Sequence, residues 1–508
     1  MQTPDIQREV IKCIQINLQR AKAAASQLIQ HTINHQPDIL LIQEPYCRAG
    51  EVACLPLCWK IFQRKAQQNE PPPRAAIACC NPLWSPLIIT QKRDHVAILL
   101  SFSNSQIIIS SIYSLPPDDI HQTIMSIEEV KTKCPTTSHV IGGDFNAHNI
   151  IWGYPATTPK GQVLEDYILA SNLQIINTPN APPTFDNTYH HGWPDITVTT
   201  NDIANNLQDW MVADEESCSD HRYIHFNIAS DTRISIFKRY KLPGNKLRIL
   251  NKAFSLTLQQ EEQELSQYKS PNDLNTYTER LLDTLRSICD QHLPTRAAKC
   301  LQGISWWTKE LRQQRQKCRA LRRRLRTNIN ETTKNAIVAT FREERAHYKN
   351  NILKAKITSW RKFCTENNNP YGILHKLATN KVFKPDQLYA QIANQPITTN
   401  IAESTAATTL NTVFPADDPD DDTPEQRHTR GNTTIPETSD DEPFEMEEIK
   451  QIFRQLPVKK APGPDGLDYA IIKVAFNARP TYFKVLFNKL YIVKSSLLHS
   501  NKDRSSCF

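Results

Sequence analysis

Polar side chains stand where several apolar runs of this sequence end. Asp144 and Asn146 follow VIGG, Asn17 follows CIQI, Glu44 follows DILLIQ and Tyr113 follows IIISSI. Asp144 and Asn146, two positions apart, point to the same side of an extended segment, and the glycines before them let a substrate or another backbone segment come close. Such groups could bind a metal ion or move a proton, but Asp and Asn are also ordinary turn formers.

Two further segments carry candidate side chains. Asp195 precedes ITV, and Ser219, Asp220 and His221 follow a predicted turn. Each candidate also has a structural interpretation. These are a helix cap for Asn17, a solvated edge residue for Glu44, a core aromatic for Tyr113, a turn acid for Asp195 and a structural histidine for His221. The order of the whole set along the chain favours a functional site over these separate alternatives.

The elements that must position these residues form one region of about 230 residues, a size that suits a single large core. Short β-rich runs such as PDILLIQEPY, HVAILLSF and PDITVTT recur up to about Asn227. Between them lie AKAAASQLIQHTIN and GQVLEDYILASN, in which apolar residues recur at helical spacing. This alternation predicts an α/β or α+β domain.

Seven motifs of this region point to a known family. In chain order they are QINLQ, LIQEPY, SIYSLPP, GGDFNAHN, PPTF, PDITV and SCSDHR. Together they resemble the endonuclease/exonuclease/phosphatase superfamily, and within it the apurinic-type endonuclease of Jockey-like non-LTR retrotransposons. The resemblance implies a two-sheet α/β sandwich whose strand-end loops form one cleft.

The resemblance also implies a role for each candidate residue. Glu44 would hold Mg²⁺, or Mn²⁺ in its place, with Asp220 near the metal, and Asp144 would orient and deprotonate the attacking water. His221, oriented by Asp195, would bind a nonbridging oxygen of the scissile phosphate. Asn17 and Asn146 would position the phosphate and the metal. Tyr113 would contact the phosphate, and Thr184 would lie in a loop that faces DNA. A metal ion and fixed donors would stabilise the negative charge that grows on the oxygens.

One segment departs from the family pattern, and one spacing suggests another metal. Many relatives carry a serine shortly before the acid of the PDITV segment, whereas this chain has Gly192, Trp193 and Pro194. The DNA contacts of this loop are therefore left open. The spacing of Cys218, His221 and His225 has no second ligand pair nearby, so it does not predict a zinc site.

Composition limits the environment and partners of the protein. The 508 residues include 60 Lys and Arg against 53 Asp and Glu, a formal charge of +7, so an anionic partner must be argued from local clusters. Thirteen cysteines show no regular framework, and the amino terminus lacks the layout of a secretory signal. No apolar run approaches the roughly 18 residues of a membrane span. We therefore expect an intracellular protein without a membrane partner, nuclear when it acts on chromosomal DNA.

A basic helical region is expected at 229–397. Residues 312–326 alone hold eight basic side chains, with little acidic compensation. Clustered Lys and Arg favour nucleic-acid binding over a merely solvated helix face, because such clusters release phosphate counterions on binding. The predicted contacts are Arg315, Arg319, Arg322, Arg323, Lys354, Trp360 and Arg361.

The remaining sequence predicts a linker and part of a second enzyme. Residues 398–442 are rich in Thr, Pro and Asp and predict a mobile acidic linker. Residues 443–508 include KKAPGPDGL, which with SWWTKEL and ITSWRKFCTE resembles the leader of the reverse transcriptase that follows the nuclease in these elements. By itself this turn could equally be an ordinary connection between helices. FPADDPDDD is no polymerase hairpin, because Pro415 and Pro419 cannot donate to a strand ladder, so polymerisation is not expected and the chain is read as a truncated element protein.

The predicted domains are therefore an endonuclease domain at 1–228, the basic region, the linker and the incomplete reverse transcriptase start. The family implies that the nuclease nicks target DNA and leaves a 3′ hydroxyl that primes copying of element RNA. One alternative is a repair nuclease or small-molecule phosphoesterase on the same fold. Another is a catalytically inactive, retroelement-derived protein that only binds nucleic acid. The sequence gives neither the target site nor the oligomeric state.

Overall fold

A computed structural model describes most of the chain. The described residues are 9–102, 105–187, 189–230, 240–265, 267–268, 270–295, 305–325, 331–366, 387–390, 401–413, 422–431, 442–457 and 466–492. The chain divides into two compact units, one of residues 1–234 and 299–405 and one of residues 235–298 and 406–508. The stretch 229–397, predicted as one helical region, is thus shared between the units.

The secondary structure of the described residues alternates in the first half and is helical in the second. The strands are β1 (Glu9–Asn17), β2 (Ile39–Gln43), β3 (Cys47–Arg48), β4 (Glu51–Val52), β5 (Lys60–Phe62), β6 (Ala75–Cys79), β7 (Leu87–Gln91), β8 (His95–Ser101), β9 (Gln106–Tyr113), β10 (Ser138–Asp144), β11 (Leu173–Ile175), β12 (Phe185–Asp186), β13 (His191–Gly192), β14 (Asp195–Thr200), β15 (Leu207–Val212), β16 (Ile224–Ser230) and β17 (Leu388–Tyr389). The helices are α1 (Lys22–His35), α2 (Ile120–Lys133), α3 (Pro159–Ala170), α4 (Leu247–Leu265), α5 (Pro271–His292), α6 (Lys309–Leu325), α7 (Glu331–Glu366), α8 (Ile401–Val413), α9 (Pro424–Gly431), α10 (Met446–Gln455), α11 (Tyr469–Ala478) and α12 (Pro480–Ile492).

Two large sheets form the centre of the first unit. One has the order β15-β16-β1-β2-β6-β5 and the other β11-β14-β10-β9-β8-β7-β17. A continuous apolar core lies between them, with Ile11, Ile39 and Ile77 from the six-stranded sheet and Ile98 and Ile109 from the seven-stranded sheet. The central strands are buried on both faces, so they read as almost continuous apolar runs. The predicted two-sheet sandwich is confirmed.

Helices cover the outer faces of both sheets. Helices α2 and α3 pack on the seven-stranded sheet, where Ile127 and Leu164 join Ile141 in one buried cluster. Helix α1 packs on the six-stranded sheet together with α6 and α7, through a cluster that includes Leu28 and Leu321. The basic helices predicted to bind nucleic acid are thus amphipathic, and their apolar side is docked on the nuclease-like sandwich.

The second unit is a helical bundle. Helices α4, α5, α10, α11 and α12 share one core, in which Phe254, Leu285 and Phe476 are buried. The hydroxyls of Tyr277 and Tyr482 lie 2.6 Å apart inside it, so each buried phenol has a polar partner. The helical character predicted after the sandwich is confirmed. The described residues do not include the predicted turn with Lys459, Lys460 and Asp465 or the acidic run with Asp417 and Asp418.

No helix among the described residues is both long and apolar enough to cross a membrane.

Two buried histidines predict acid sensitivity of the first unit. Ser110 Oγ lies 3.0 Å from His95 Nε2 and 2.7 Å from His139 Nε2, and burial lowers the pKa of each imidazole to about 3. In the unfolded chain each imidazole takes up a proton near pH 6.5, whereas in the folded protein it stays neutral. The stabilising contribution is therefore complete above that pH and decreases, by about 1.4 kcal/mol per pH unit for each group, as the pH falls towards 3.

Urea unfolding at pH 7 and pH 5 measures this loss. The variant His139→Gln should show a smaller decrease in the free energy of unfolding between these pH values than the wild-type protein. The matched substitution His121→Gln, on the exposed surface of α2, should keep the full decrease. An identical pH dependence for wild type and His139→Gln would contradict the assignment.

Candidate active site

The strand ends of the seven-stranded sheet bring three candidate side chains into one row. Strands β9 and β10 are parallel, and Tyr113 pairs with Asp144 where both strands end. Strand β14 runs antiparallel to β10, so that Asp195, its first residue, pairs with Asp144 from the other side. Neighbouring residues in a ladder lie on the same face of a sheet. The register therefore fixes the separation of these groups before any side chain is placed.

The six-stranded sheet contributes Asn17 to the same place. Strand β1 ends at Asn17, whose Nδ2 donates a hydrogen bond to Asp144 Oδ2 over 2.8 Å. The Asn17 side-chain oxygen accepts from the backbone N–H of Gln19, and its backbone oxygen accepts from Ser219 Oγ. Asn17 is 1 % exposed. The amide therefore links the two sheets at the edge of the cleft.

His221 completes a buried cluster with the two aspartates. His221 Nδ1 lies 2.8 Å from Asp195 Oδ2, and its Nε2 lies 3.8 Å from Asp144 Oδ2. Burial alone would lower the pKa of His221, but the charge and hydrogen bond of Asp195, with the charges of Asp144 and Glu44, raise it to about 9. The imidazole is thus a cation at neutral pH, oriented by Asp195 and presenting Nε2 to the cleft. Phe185 packs edge-on against its ring.

Asp144 lies in an electrostatically unfavourable position that a cation would relieve. Burial and the neighbouring Asp195 raise the pKa of Asp144 to about 7. Asp195 Oδ1 is buried and has no hydrogen-bond partner among the described residues. Ligand atoms of Asp144, Asp195 and His221 lie within 4.8 Å of one another. Mg²⁺ prefers oxygen ligands, so the carboxylates of Asp144 and Asp195 fit a divalent cation, whereas the protonated imidazole of His221 is a hydrogen-bond donor beside them.

Glu44 and Tyr113 border the same cleft. Glu44 has a positive φ of 42°, a conformation that a residue other than glycine rarely adopts outside a functional or tightly constrained position. Its carboxylate lies 3.4 Å from Arg20 and is 19 % exposed. Burial, Glu44 and Asp144 all raise the pKa of Tyr113, which shows that both carboxylates lie close to the phenol. The guanidinium of Arg74 lies over the Tyr113 ring at 5.3 Å.

Asn146 is held by the backbone around Asp144. Its N–H donates to Asp144 Oδ1 over 3.2 Å, its Nδ2 donates to the backbone oxygen of Ser114 over 3.0 Å, and its φ is 46°. The left-handed backbone suits asparagine and brings its side chain back towards the end of β9. Asn146 is therefore placed beside the cluster, with its amide nitrogen already occupied.

Asp220, predicted to lie near the metal, has a different partner. Its carboxylate accepts hydrogen bonds from Arg345 over 2.6 Å and from the Gln19 side chain over 3.4 Å. Burial raises the pKa of Asp220, but the charge and hydrogen bond of Arg345 hold it below its ordinary value. The structure thus neutralises Asp220 with an arginine of α7 rather than placing it in the buried carboxylate cluster. Its role as a metal ligand stays a prediction.

Helices α6 and α7 hold the segment that carries His221. Arg345 also donates to Glu216 and to the backbone oxygen of Ser219, and Glu216, which is fully buried, forms a second ion pair with Arg322. A carboxylate taken out of water needs such partners, since an unpaired buried charge is very unfavourable. The segment Ala213–His221 is therefore fixed from one side by β16 and from the other by α7.

Several of the predicted nucleic-acid contacts interact with other side chains of the protein. Thr184 is fully buried, and its hydroxyl accepts the backbone N–H of Asp195, so it supports the start of β14; its contact with DNA stays a prediction. Arg322 is buried against Glu216, and Arg319 and Arg323 both pair with Asp214. Arg315 lies over the ring of Trp307. Arg323 is nevertheless exposed, and further exposed predicted contacts lie on α7 at Lys354, Trp360 and Arg361.

The two glycines before Asp144 serve close packing of the backbone. A Cβ at Gly143 would lie 2.3 Å from the backbone oxygen of Ile112 in β9, and a Cβ at Gly142 would lie 2.5 Å from the side-chain oxygen of Gln15 in β1. Gln15 donates in turn to the backbone oxygen of Gly143 over 3.2 Å. The glycines thus let β9 and β1 approach β10 directly behind Tyr113, Asp144 and Asp195.

Part of the chain matches a known protein family. The model of the endonuclease-reverse transcriptase family matches residues 107–225. The chain contains an endonuclease-reverse transcriptase family domain. The match includes every predicted catalytic residue from Tyr113 to His221. Asn17 and Glu44 precede the matched residues, Asn17 at the end of β1 and Glu44 directly after β2.

Relatives extend the assignment beyond the domain. The chain is 23% identical over 473 residues to the Pol polyprotein of the type-1 retrotransposable element R1 of Bradysia coprophila, covering 87% of this chain and 45% of that protein. It is 26% identical over 156 residues to the RNA-directed DNA polymerase of the mobile element jockey of Drosophila melanogaster, covering 30% of this chain and 16% of that protein. The predicted resemblance to non-LTR retrotransposon proteins is confirmed. The chain spans about half the length of the R1 relatives it matches.

Among solved structures, the endonuclease domain of the telomere-specific non-LTR retrotransposon TRAS1 is similar to this chain. The identity is 28%, the TM-score is 0.39, and the match covers 43% of this chain and 97% of the TRAS1 domain.

Several residues around the cluster of Asp144, Asp195 and His221 were not predicted from the sequence. Gln19 lies inside the motif QINLQ, so its polar character was a visible signal. Phe185 lies in PPTF in the same way. Arg345 lies more than a hundred residues after the cluster on a helix with many charges, and no local pattern distinguishes it from its neighbours.

Proposed function

We propose that this protein is a Mg²⁺-dependent DNA endonuclease that nicks the target DNA of a non-LTR retrotransposon. The observation that carries the proposal is the buried cluster in which His221 joins Asp195 and Asp144 while Asn17 fixes Asp144. A cationic imidazole beside a carboxylate of raised pKa is suited to phosphodiester hydrolysis, which needs a base for water and a donor for the phosphate oxygens.

The proposed mechanism assigns one task to each side chain. Asp144 accepts a proton from the attacking water, and Asn17 holds the Asp144 carboxylate in the orientation that this requires. As the water oxygen bonds to phosphorus, the bond from phosphorus to the 3′ oxygen breaks, and the departing 3′ oxygen takes a proton from solvent to become the 3′ hydroxyl. His221, oriented by Asp195, donates from Nε2 to a nonbridging phosphate oxygen. Glu44, with the oxygens of the cluster, would hold a divalent cation that stabilises negative charge on the phosphate when bound. Tyr113 and Asn146 border the phosphate on the side of β9.

The surface beside Tyr113 carries mixed charge. A pocket there is lined by the cations Arg64, Lys92 and Arg93 and by the acids Asp94, Asp118 and Asp119. Arg64 and Lys92 are paired with Glu70 and Glu129, and Arg74 pairs with Asp94 through a bidentate ion pair. Of the three cations, Arg93 is the one that we propose for contact with a phosphate of the DNA strand.

The names of the relatives supply the biological context of the proposal. The R1 relative is the Pol polyprotein of a retrotransposable element, and the jockey relative is the RNA-directed DNA polymerase of a mobile element. We propose that the nick made here provides a 3′ hydroxyl from which such an element's RNA is copied, which would take place in the nucleus. Element RNA is then the second partner, and exposed α7 residues such as Trp360 and Arg361 are candidates to bind nucleic acid.

A plasmid nicking assay tests the activity. The full chain should convert supercoiled DNA to the open circle in Mg²⁺ and lose this activity with a chelator. Glu44→Gln should lower the rate by about 100-fold, because one ligand oxygen loses its charge. The same substitution at Glu279, which is exposed on α5, should leave the rate unchanged.

Three results would contradict the proposal. Preference for abasic over intact DNA would indicate a repair nuclease. Salt-sensitive DNA or RNA binding without Mg²⁺-dependent nicking would support a protein that only binds nucleic acid. Equal nicking by wild type and Glu44→Gln would remove Glu44 from the metal site.

A further inference from the structure

Three histidines on the outer side of the six-stranded sheet converge away from the proposed active site. His31 and His35 lie one turn apart on α1 and therefore share a face of the helix, and His225 lies on β16. Their ring centroids are 4.3 to 5.0 Å apart, and one ring nitrogen from each lies within 4.8 Å of the others. Two histidines at this helical spacing are a frequent arrangement in zinc sites.

The contact between His31 and His225 is the central observation. Their Nε2 atoms are 2.9 Å apart. Two imidazole nitrogens at this distance need either a shared proton or a shared cation, since two lone pairs repel. In a tetrahedral zinc site, with Zn–N of about 2.0 to 2.1 Å, ligand nitrogens lie roughly 3.3 Å apart. A change of a few tenths of an ångström in this pair would thus give the spacing of two zinc ligands.

Packing fixes the orientation of the most buried of the three imidazoles. His31 is fully buried, and its ring is stacked on Tyr223 at 3.8 Å, which fixes its plane.

The carboxylate of Glu215 is a fourth potential ligand beside the three histidines, and it offsets a nearby positive charge. Glu215 Oε1 lies 3.8 Å from His35 Nε2, and both side chains are about one-third exposed, so an ion could enter from solvent. Arg315 on α6 is close enough to lower the pKa of His31, and its charge opposes a bound cation. The negative charge of Glu215 offsets that of Arg315.

We propose that His31, His35, His225 and Glu215 form a second metal site that binds Zn²⁺. Three imidazoles and one carboxylate are a zinc ligand set, whereas Mg²⁺ prefers oxygen ligands. The ion would connect the last turn of α1 to β16. It would also fix Glu215 at the start of the segment that carries Asp220 and His221, and so its role is structural rather than catalytic.

Zinc binding to the full chain tests the site directly. The protein is first treated with a chelator, and bound Zn²⁺ is then measured by equilibrium dialysis in excess Mg²⁺, which occupies oxygen-ligand sites. His35→Asn and His225→Asn should each weaken Zn²⁺ binding by at least about 10-fold. His121→Asn, the matched change at an exposed histidine of α2, should bind Zn²⁺ as the wild type does.

Two further readouts separate this proposal from the proposed nuclease function. Zn²⁺ at about 100 times its dissociation constant should raise the melting temperature of the wild type by about 5 °C but not that of His35→Asn. Nicking in Mg²⁺ should be the same for wild type and His35→Asn, and an inactive wild type would leave the zinc measurement valid. Wild-type affinity for Zn²⁺ in both His35→Asn and His225→Asn would overturn the site.

Discussion

Replacement of Asp144 by asparagine should lower kcat for plasmid nicking by about 1,000-fold or more without unfolding the protein. The substitution keeps the shape of the side chain but removes the carboxylate that accepts the proton of water. The neighbouring His221 and Asp195 keep their 2.8 Å contact, so the phosphate-binding group stays in place. Single-turnover kinetics on supercoiled DNA measure the loss.

The same variant should be at least as stable as the wild type. Burial and the charge of Asp195 raise the pKa of Asp144, which means that the ionised carboxylate is destabilising in the folded state without a bound cation. Asp144→Asn removes this cost, so the melting temperature without metal should stay constant or rise. Such an exchange of stability for activity is expected where a site holds unfavourable groups in place.

A matched change at the surface supplies the control. Asp166→Asn alters an exposed carboxylate on α3 and should leave both nicking and stability unchanged. A decrease in melting temperature for Asp144→Asn would indicate that the carboxylate stabilises the fold and has no unfavourable burial to relieve. Nicking by Asp144→Asn at the wild-type rate would exclude Asp144 as the base.

The residue pattern predicted an α/β or α+β domain, and the family resemblance implied the two-sheet sandwich whose strand ends form one cleft. Runs such as ILLIQ and AAIAC are apolar on both faces, and strands of this kind occur only where layers cover both sides. Because Tyr113 and Asp144 each end a run, parallel pairing alone places them side by side. The distances in the Asp144, Asp195 and His221 cluster then follow from the register of β14 and the turn before β16.

The environment of Asp220 could not be predicted in the same way. Its charge and its position in SCSDHR suggest a metal ligand, but its partner Arg345 lies 125 residues later. Such a pair depends on how α7 packs on the sandwich, and the apolar pattern of α7 shows which side is buried without showing against what. The same limit applies to Arg322, whose membership of a basic run concealed a buried ion pair with Glu216.

A basic run is therefore an ambiguous signal in this protein. Arg319 and Arg323 pair with Asp214, and Arg322 pairs with Glu216, so part of the charge of α6 compensates acids of the sandwich. Those acids are far away in sequence, which is why the run appeared uncompensated. The proposed second role of α6 and α7 is to position the segment that carries His221, and Arg345 tests it.

Replacement of Arg345 by methionine should lower kcat for nicking by about 10 to 100-fold with a smaller change in KM for DNA. Arg345 contacts Asp220, Glu216 and the backbone of Ser219, so it fixes the residues that precede His221. Loss of these contacts would let His221 move, and a displacement of about 1 Å can reduce a rate by about 100-fold. Arg345 touches no residue of the buried cluster, so it acts by positioning.

Partial rescue separates positioning from general destabilisation. Arg345→Lys keeps the charge but cannot make three contacts in fixed directions, so its kcat should lie between those of Arg345→Met and the wild type. Removing one partner of a buried ion pair costs about 3 kcal/mol, so Arg345→Met should also lower the melting temperature. Arg312→Met, an exposed change on α6, should affect neither quantity.

The dependence of kcat on Arg345 also decides what the carboxylate of Asp220 does. If Asp220 served mainly as a metal ligand, its release from Arg345 would strengthen metal binding, and Arg345→Met would reach full activity at lower Mg²⁺ concentration. If Arg345 positions His221 through Asp220, kcat falls at every Mg²⁺ concentration and the concentration for half-maximal activity stays the same. A Mg²⁺ titration of wild type and Arg345→Met distinguishes the two roles, and the close contact of the half-buried pair leads us to expect the second result.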